Sequence, residues 1–428
     1  MGMGACERGG VGGTSRTVRL LAAGCLTGLT CLTGLTRAAE VNPAARLKVV
    51  KTTTLWKSPD GKVSAQRARF TQDGKLLTWF TTDGKMMFTF LTDPTRVISY
   101  SVPDGGTVAH VALTRAGVLS ACVRIVKADQ VVRAVAMLRR SSTELSIVKG
   151  TDGAYNAAWR AGSTSLAFST KSALFHHDRK TGKTVKLLDQ QNGWRPKGAP
   201  AYKDLVFVGE KVAARAAGTM KWWLVAPGEK AVALGELRGL CPDTKRRALY
   251  AVPWKAGPVG IPRGAGVVRL SLSPEHSKKR IIVPFDHASG KPYWLVDIFD
   301  ATYPTTLRVS PDGGTLTFCG VKCGVLSKNA WREFCIWRVP SDGSKPPVAV
   351  AKCGNIFKRI DVGDTHFIGW RYKIDNAVVL GDLKNGKAWR LPKDFYVQRV
   401  NTDVLVGKLL VGAARGKDVV LIQLAEDK

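Results

Sequence analysis

The chain is poor in the signatures that usually announce chemistry. No Gly-x-Ser-x-Gly occurs, so the strand-to-helix elbow that carries a hydrolytic serine is missing. His-Glu-x-x-His is absent, which excludes a zincin helix, and no Cys-x-x-Cys-His offers covalent haem attachment. Cys319-Gly320-Val321-Lys322-Cys323 lacks a second pair at zinc-like spacing. Histidine is limited to His110, His176, His177, His276, His287 and His366. His176 and His177 are neighbours on a predicted strand and face opposite ways, so at most one can join a central cluster. No cofactor is implied. Beyond the N-terminus no apolar run approaches membrane length, and no long segment carries a helical stripe. Acid is scarce as well: 33 Asp+Glu stand against 65 Lys+Arg, a formal charge of +32 at pH 7.

What is present begins with an address. Arg8, Arg16 and Arg19 precede an uncharged run from Leu20 to Leu35, and Thr36-Arg37-Ala38 places small residues for a cut after Ala38. That order is the one of a secretory signal, so residues 1–38 are expected to be removed and the protein to be exported, to a periplasm or outside the cell. Removal takes away four Arg and one Glu and leaves +29. Six cysteines stay with the remaining chain, too few to staple a fold by themselves.

Residues 39–428 read as one all-β domain built from a repeat. Ala157–Phe168, Ala173–Asp178 and Thr184–Leu188 form one unit, separated by Gly162-Ser163 and by Arg179-Lys180-Thr181-Gly182-Lys183. Leu307–Phe318, Cys335–Val339 and Val348–Ala351 form another of the same order. Each is strand, turn, strand, loop, strand, turn, strand. The turns carry Asp-Gly pairs such as Asp60-Gly61, Asp83-Gly84, Asp312-Gly313 and Asp342-Gly343, which tolerate the positive φ that hairpins need. Units begin near Arg67, Val108, Tyr155, Ala201, Ala248, Thr306, Arg359 and Val400, spaced about 41 to 58 residues apart. This is close to the period of a propeller blade. Four-stranded antiparallel blades in a β-propeller are therefore predicted, eight of them, with seven as the alternative. Leu47–Trp56 reads as the strand that pairs with the last unit and closes the ring.

The segment Ser310-Pro311-Asp312-Gly313-Gly314-Thr315-Leu316-Thr317-Phe318 resembles the repeat of TolB-like, WD-repeat-like propellers. The resemblance covers about residues 47–428 and implies architecture. A counterpart of the separate α/β domain of TolB is not expected within these residues.

Two functions fit. The first is a non-enzymatic binding or scaffold propeller of the cell envelope, whose partner is an envelope protein or an anionic glycan or lipid. The alternative is a propeller lyase or glycosidase acting on an anionic polysaccharide. A charge of this size sets up a broad positive potential, yet no nucleic-acid module is present and export removes the chain from the genome, so specific nucleic-acid binding is not expected. The densest basic runs are Lys245-Arg246-Arg247 and Lys278-Lys279-Arg280, and Trp222 and Trp223 are candidate stacking platforms, or else packing between blades. Hairpin symmetry about residues 327–329 pairs Cys319 with Cys335, and symmetry about 342–345 pairs Cys335 with Cys353. A disulfide among Cys319, Cys323, Cys335 and Cys353 is the expectation. Cys122 and Cys241 are read as core thiols.

Overall fold

The computed structural model describes residues 46–427 apart from 72–73, 114–118, 128–129, 139–142, 161–163, 192–198, 244–246, 257–261, 271, 273–278, 286–292, 297–305, 311, 324–333, 353–356, 363–365, 372–377, 384–386, 392–401 and 406–407. The leader expected over residues 1–38 lies outside the described residues.

Short apolar runs between turn residues give mostly antiparallel strands, arranged as an all-β propeller. The first sheet contains Ala65–Phe70, Leu76–Thr81, Lys85–Phe90 and Asp93–Ser101 in chain order. The second contains Thr107–Leu113, Leu119–Lys127, Gln130–Met137 and Ser146–Ile147, and the third Asn156–Trp159, Ser165–Ser169, Ala173–Asp178 and Lys183–Asp189. From Tyr202 to Lys352 the strands join into a fourth sheet of 13 strands. A fifth, of 8 strands, combines Arg46–Lys57 with strands between Phe357 and Asp427.

Among the described residues the sheets therefore number five, correcting the expectation of eight, or seven, separate blades. The cause is strand length. Val232–Asp243 pairs at one end with Lys221–Val225 and at the other with Ala248–Ala256, through Trp222↔Gly235 and Cys241↔Tyr250. Ala248–Ala256 is shared again, between Val267–Leu270 and Pro262–Ala265. In the fifth sheet a single parallel bridge, Arg46↔Arg390, joins two four-strand sets. Backbone hydrogen bonds thus run across boundaries that the repeat alone would leave open.

The turn of the Ser310 repeat shows why that sequence recurs. Thr315 N–H donates to Ser310 Oγ at 2.9 Å, Gly314 N–H donates to Asp312 Oδ1 at 2.9 Å, and Gly313 takes φ 74°. Thr71 does the same work in the first sheet, accepting from Leu76 N–H at 3.0 Å.

Side chains join the sheets face to face. Phe80, Met86 and Tyr100 of the first meet Val123, Ile125 and Ala136 of the second. Cys122 and Val135 on the opposite face of the second meet Leu166 and Phe168 of the third. Ala167 and Leu174 then meet Tyr202 and Val212 of the fourth. Trp79 and Leu77 pack with Leu55, Val419 and Leu421, bringing the first and fifth sheets together. That approach is close: a β-carbon at Gly412 would lie 2.4 Å from Leu77 Cδ1.

Register corrects one of the expected cysteine pairings. Cys319 stands opposite Ile336 and Cys335 opposite Gly320, one residue away from the assumed symmetry. A one-residue offset puts two side chains on opposite faces of a sheet. Cys335 packs with Phe318 and Trp337, while Cys319 points away from them, so these two do not form a bridge. Across the next strand pair Cys335 faces Lys352. Cys353 and the side chain of Cys323 lie outside the described residues.

Candidate functional site

The antiparallel pair Leu119–Lys127 and Gln130–Met137 sets Arg124 directly opposite Arg133 and Val126 opposite Val131. Alternation places Cys122, Arg124 and Val126 on one face together with Val135, Arg133 and Val131. Read towards the hairpin, that face changes character. Cys122 and Val135 are buried against the third sheet, the arginines follow, and Val126 and Val131 end it at 54% and 48% exposed. Burial pushes the Cys122 thiol up to about 12, against the opposing pull of the Arg133 charge, so at neutral pH it is a protonated packing group.

The facing wall belongs to the third sheet. Thr170–Ser172 forms its hairpin turn, with Ser172 N–H and Ala173 N–H both donating to Thr170 Oγ1 at 3.2 Å. Gly153, at φ 76°, donates its N–H to Arg133 O at 2.7 Å and ties the walls together. Tyr155 N–H donates to Ser169 O at 2.8 Å, which aims the ring at the second sheet. There the Arg133 guanidinium lies 4.2 Å from the Tyr155 ring centroid.

Between the walls is a cavity of about 610 Å³. Among the described residues, Arg124, Arg133 and Lys171 line it, with Val131 and Tyr155 as apolar surface, Thr170 and Ser172 as hydroxyls, and no carboxylate. Like charges directly opposite on adjacent strands cost a few tenths of a kcal/mol or more in an antiparallel pair, roughly 0.2–1 kcal/mol. The arrangement is thus suited to an anion. It contains no nucleophile paired with a base.

The residues singled out in the sequence are placed elsewhere. Trp222 is 3% exposed, and its indole N–H donates to Leu237 O at 3.1 Å, so it packs between strands and offers no platform. Trp223 is half-buried beside Ala201 and Tyr202. Lys245, Arg246 and Lys278 lie outside the described residues. Arg247, Lys279 and Arg280 are exposed, and Arg280 stands opposite Arg269 with the Asp342 carboxylate nearby. The register Leu249↔Leu270 and Leu270↔Lys279 carries the strand ends beside both basic runs to one end of the fourth sheet. They are well away in sequence from Arg124, Arg133 and Lys171, which no basic run marks.

The histidine pair divides as its alternation requires. His176 faces the Phe207 ring at 6.4 Å, whereas His177 is buried and shares a hydrogen bond of 2.9 Å between Nδ1 and Thr184 Oγ1. Burial lowers the His177 pKa from its usual 6.5, with the Asp178 charge opposing. The folded ring therefore resists a proton that the unfolded chain accepts. Its stabilising contribution is complete above about pH 6.5 and declines as pH falls toward the depressed folded value. Urea melts at pH 7.5 and pH 5 should show a smaller loss of stability in His177→Phe than in the parent, and equal losses would refute this. Among the described residues no three His, Cys, Asp or Glu side chains gather to hold a metal, and no helix is long and apolar enough to cross a membrane.

No family model and no curated protein matches the sequence. Solved structures with a similar course of chain include the WD40 domain of Pan2 from Neurospora crassa, 12% identical, covering 90% of this chain and 97% of that one at a TM-score of 0.42. The structure of U3-55K is likewise 12% identical and covers 88% of this chain and 98% of its own at 0.41. The tricorn protease matches over 80% of this chain and 36% of its own, with 11% identity and a TM-score of 0.41.

Proposed function

We propose that this propeller is an exported, non-enzymatic binding protein of the cell envelope, and that it holds an anionic partner in the groove between its second and third sheets. The observation that carries the reading is the opposed pair Arg124 and Arg133, which line the groove together with Lys171. A surrounding charge of +29 after loss of the leader would draw polyanions toward it. The Ser310 turn supports a TolB-like kinship for the repeat, and the Arg-rich start followed by Leu20–Leu35 supports export.

Immobilised heparin serves as a generic polyanion for the test. The protein should be retained at about 0.15 M salt, where exposed charges are screened beyond roughly 8 Å. Arg124→Gln with Arg133→Gln should weaken retention and lower the slope of log affinity against log salt by about two, one for each cation removed. Without ligand the same variant should melt no lower than the parent, because it relieves repulsion between neighbours. Loss of retention on replacing Lys279 and Arg280 instead, with the arginine pair silent, would move the site to the fourth sheet.

A further inference from the structure

Resting on that reading, we infer that the groove recognises the carboxylate of an acidic sugar within a polysaccharide, in preference to a phosphate or sulfate group. Three features of the lining point this way. The first is the shape of the cationic donors. The Arg133 guanidinium carbon lies over the Tyr155 ring, 4.2 Å from its centroid, a contact that restrains this planar fork of N–H donors at the groove. Arg124, one ladder position across, brings a second planar fork alongside. Planar forks match a planar carboxylate through two parallel hydrogen bonds, a geometry that a lone ammonium cannot reproduce.

The second feature is the state of the backbone. Phosphate and sulfate sites on turns are commonly cradles of N–H groups left open to the ligand. Here the N–H groups of Gly153, Tyr155 and Ser172 are already donated to Arg133 O, Ser169 O and Thr170 Oγ1. The turn supplies the Lys171 ammonium and the Ser172 hydroxyl to the groove in their stead.

The third feature is size and texture. A volume of about 610 Å³ lies within the range of sites for organic ligands of moderate size, roughly 300–1,000 Å³, and far exceeds what one small inorganic anion fills. The Val131 and Tyr155 surfaces can lie against the C–H faces of a sugar ring, while the Ser172 hydroxyl meets a ring hydroxyl. A charged head, an apolar face and hydroxyls are the three parts of a uronate unit.

The test titrates the full chain with four probes: oligogalacturonate, the same oligomer with its carboxyls reduced to alcohols, inorganic phosphate, and phosphatidylglycerol vesicles. The carboxylated oligomer should bind at least tenfold more tightly than its reduced form and than phosphate, as a charge-assisted bidentate contact implies. Arg133→Lys keeps the charge but loses both fork and stack, and should weaken oligomer binding by about tenfold while leaving the far-ultraviolet spectrum and melt unchanged. A lysine variant that binds like the parent, or equal affinity for phosphate or vesicles, overturns the carboxylate assignment. Heparin retention that persists in that case preserves the broader anion-binding function, whereas a parent protein that heparin does not retain removes both.

Discussion

Deletion of residues 39–56 should leave a protein that aggregates and no longer melts in one sharp transition. The strand Arg46–Lys57 runs antiparallel to Asp418–Asp427 through ten paired positions, so its loss uncovers the full length of a sheet edge. It also removes two anchors from separate packing clusters. Leu47 is buried with Leu380, Trp389 and Ile422, and Leu55 with Trp79 and Leu421. Each buried leucine contributes about 1.5–3 kcal/mol. The sum is a large part of the 5–15 kcal/mol by which a typical domain is stable. The bared ladder then offers itself to other chains. Light scattering and a thermal melt decide the matter. A truncated chain that stays monodisperse and melts with the parent would show that the strand is dispensable.

Gly381→Val should be the most damaging single substitution among the glycines of the fifth sheet. Gly381 stands directly across the ladder from Phe367, whose buried ring lies over it. A β-carbon there would sit 1.9 Å from Phe367 Cε1 and 2.2 Å from Cζ, well inside contact distance. The ring has to leave its place, and a core forced to accept extra atoms loses typically 1–3 kcal/mol, more when an aromatic is expelled. The expected result is a fall of several degrees in melting temperature, partly restored by adding Phe367→Leu. If the second change adds its own full loss instead, the two side chains do not compete for the same space.

The strand-turn-strand rhythm was legible because its causes are local. An Asp-Gly pair needs only its own backbone to make the turn, as Asp342-Gly343 does with φ 68° at the glycine. Sheet count was not legible, because it depends on how far a strand such as Val232–Asp243 continues past its own hairpin, and nothing in its sequence marks that point. The pairing of Cys319 with Cys335 failed for a related reason: symmetry about a loop is good to one residue, and one residue reverses the face. The same reasoning applied to arginine would have succeeded. Arg124 and Arg133 are symmetric about residues 128–129 and are in fact opposed. Lys171 and Tyr155 could not have been added that way, since packing between sheets leaves no local trace. Basic runs drew notice instead, although a consecutive run divides its charges between two faces while alternate positions collect them on one.

The unequal joining of the sheets has a consequence for how the molecule yields. From Tyr202 to Lys352 a single continuous ladder must part for any portion to come away. The second and third sheets, by contrast, meet mainly through side chains, with the bond from Gly153 to Arg133 as a backbone stitch between them. Their seam is the easier place for the protein to breathe, and small openings there carry a lower free energy than those within the joined block. The groove lies along that seam, so whatever fills it holds both margins at once. Its grip is discounted by the fraction of time the margins stand apart, and its arrival in turn shortens that time. Substitutions buried beneath the groove, around Cys122 or Leu166, can therefore alter occupancy without touching the occupant.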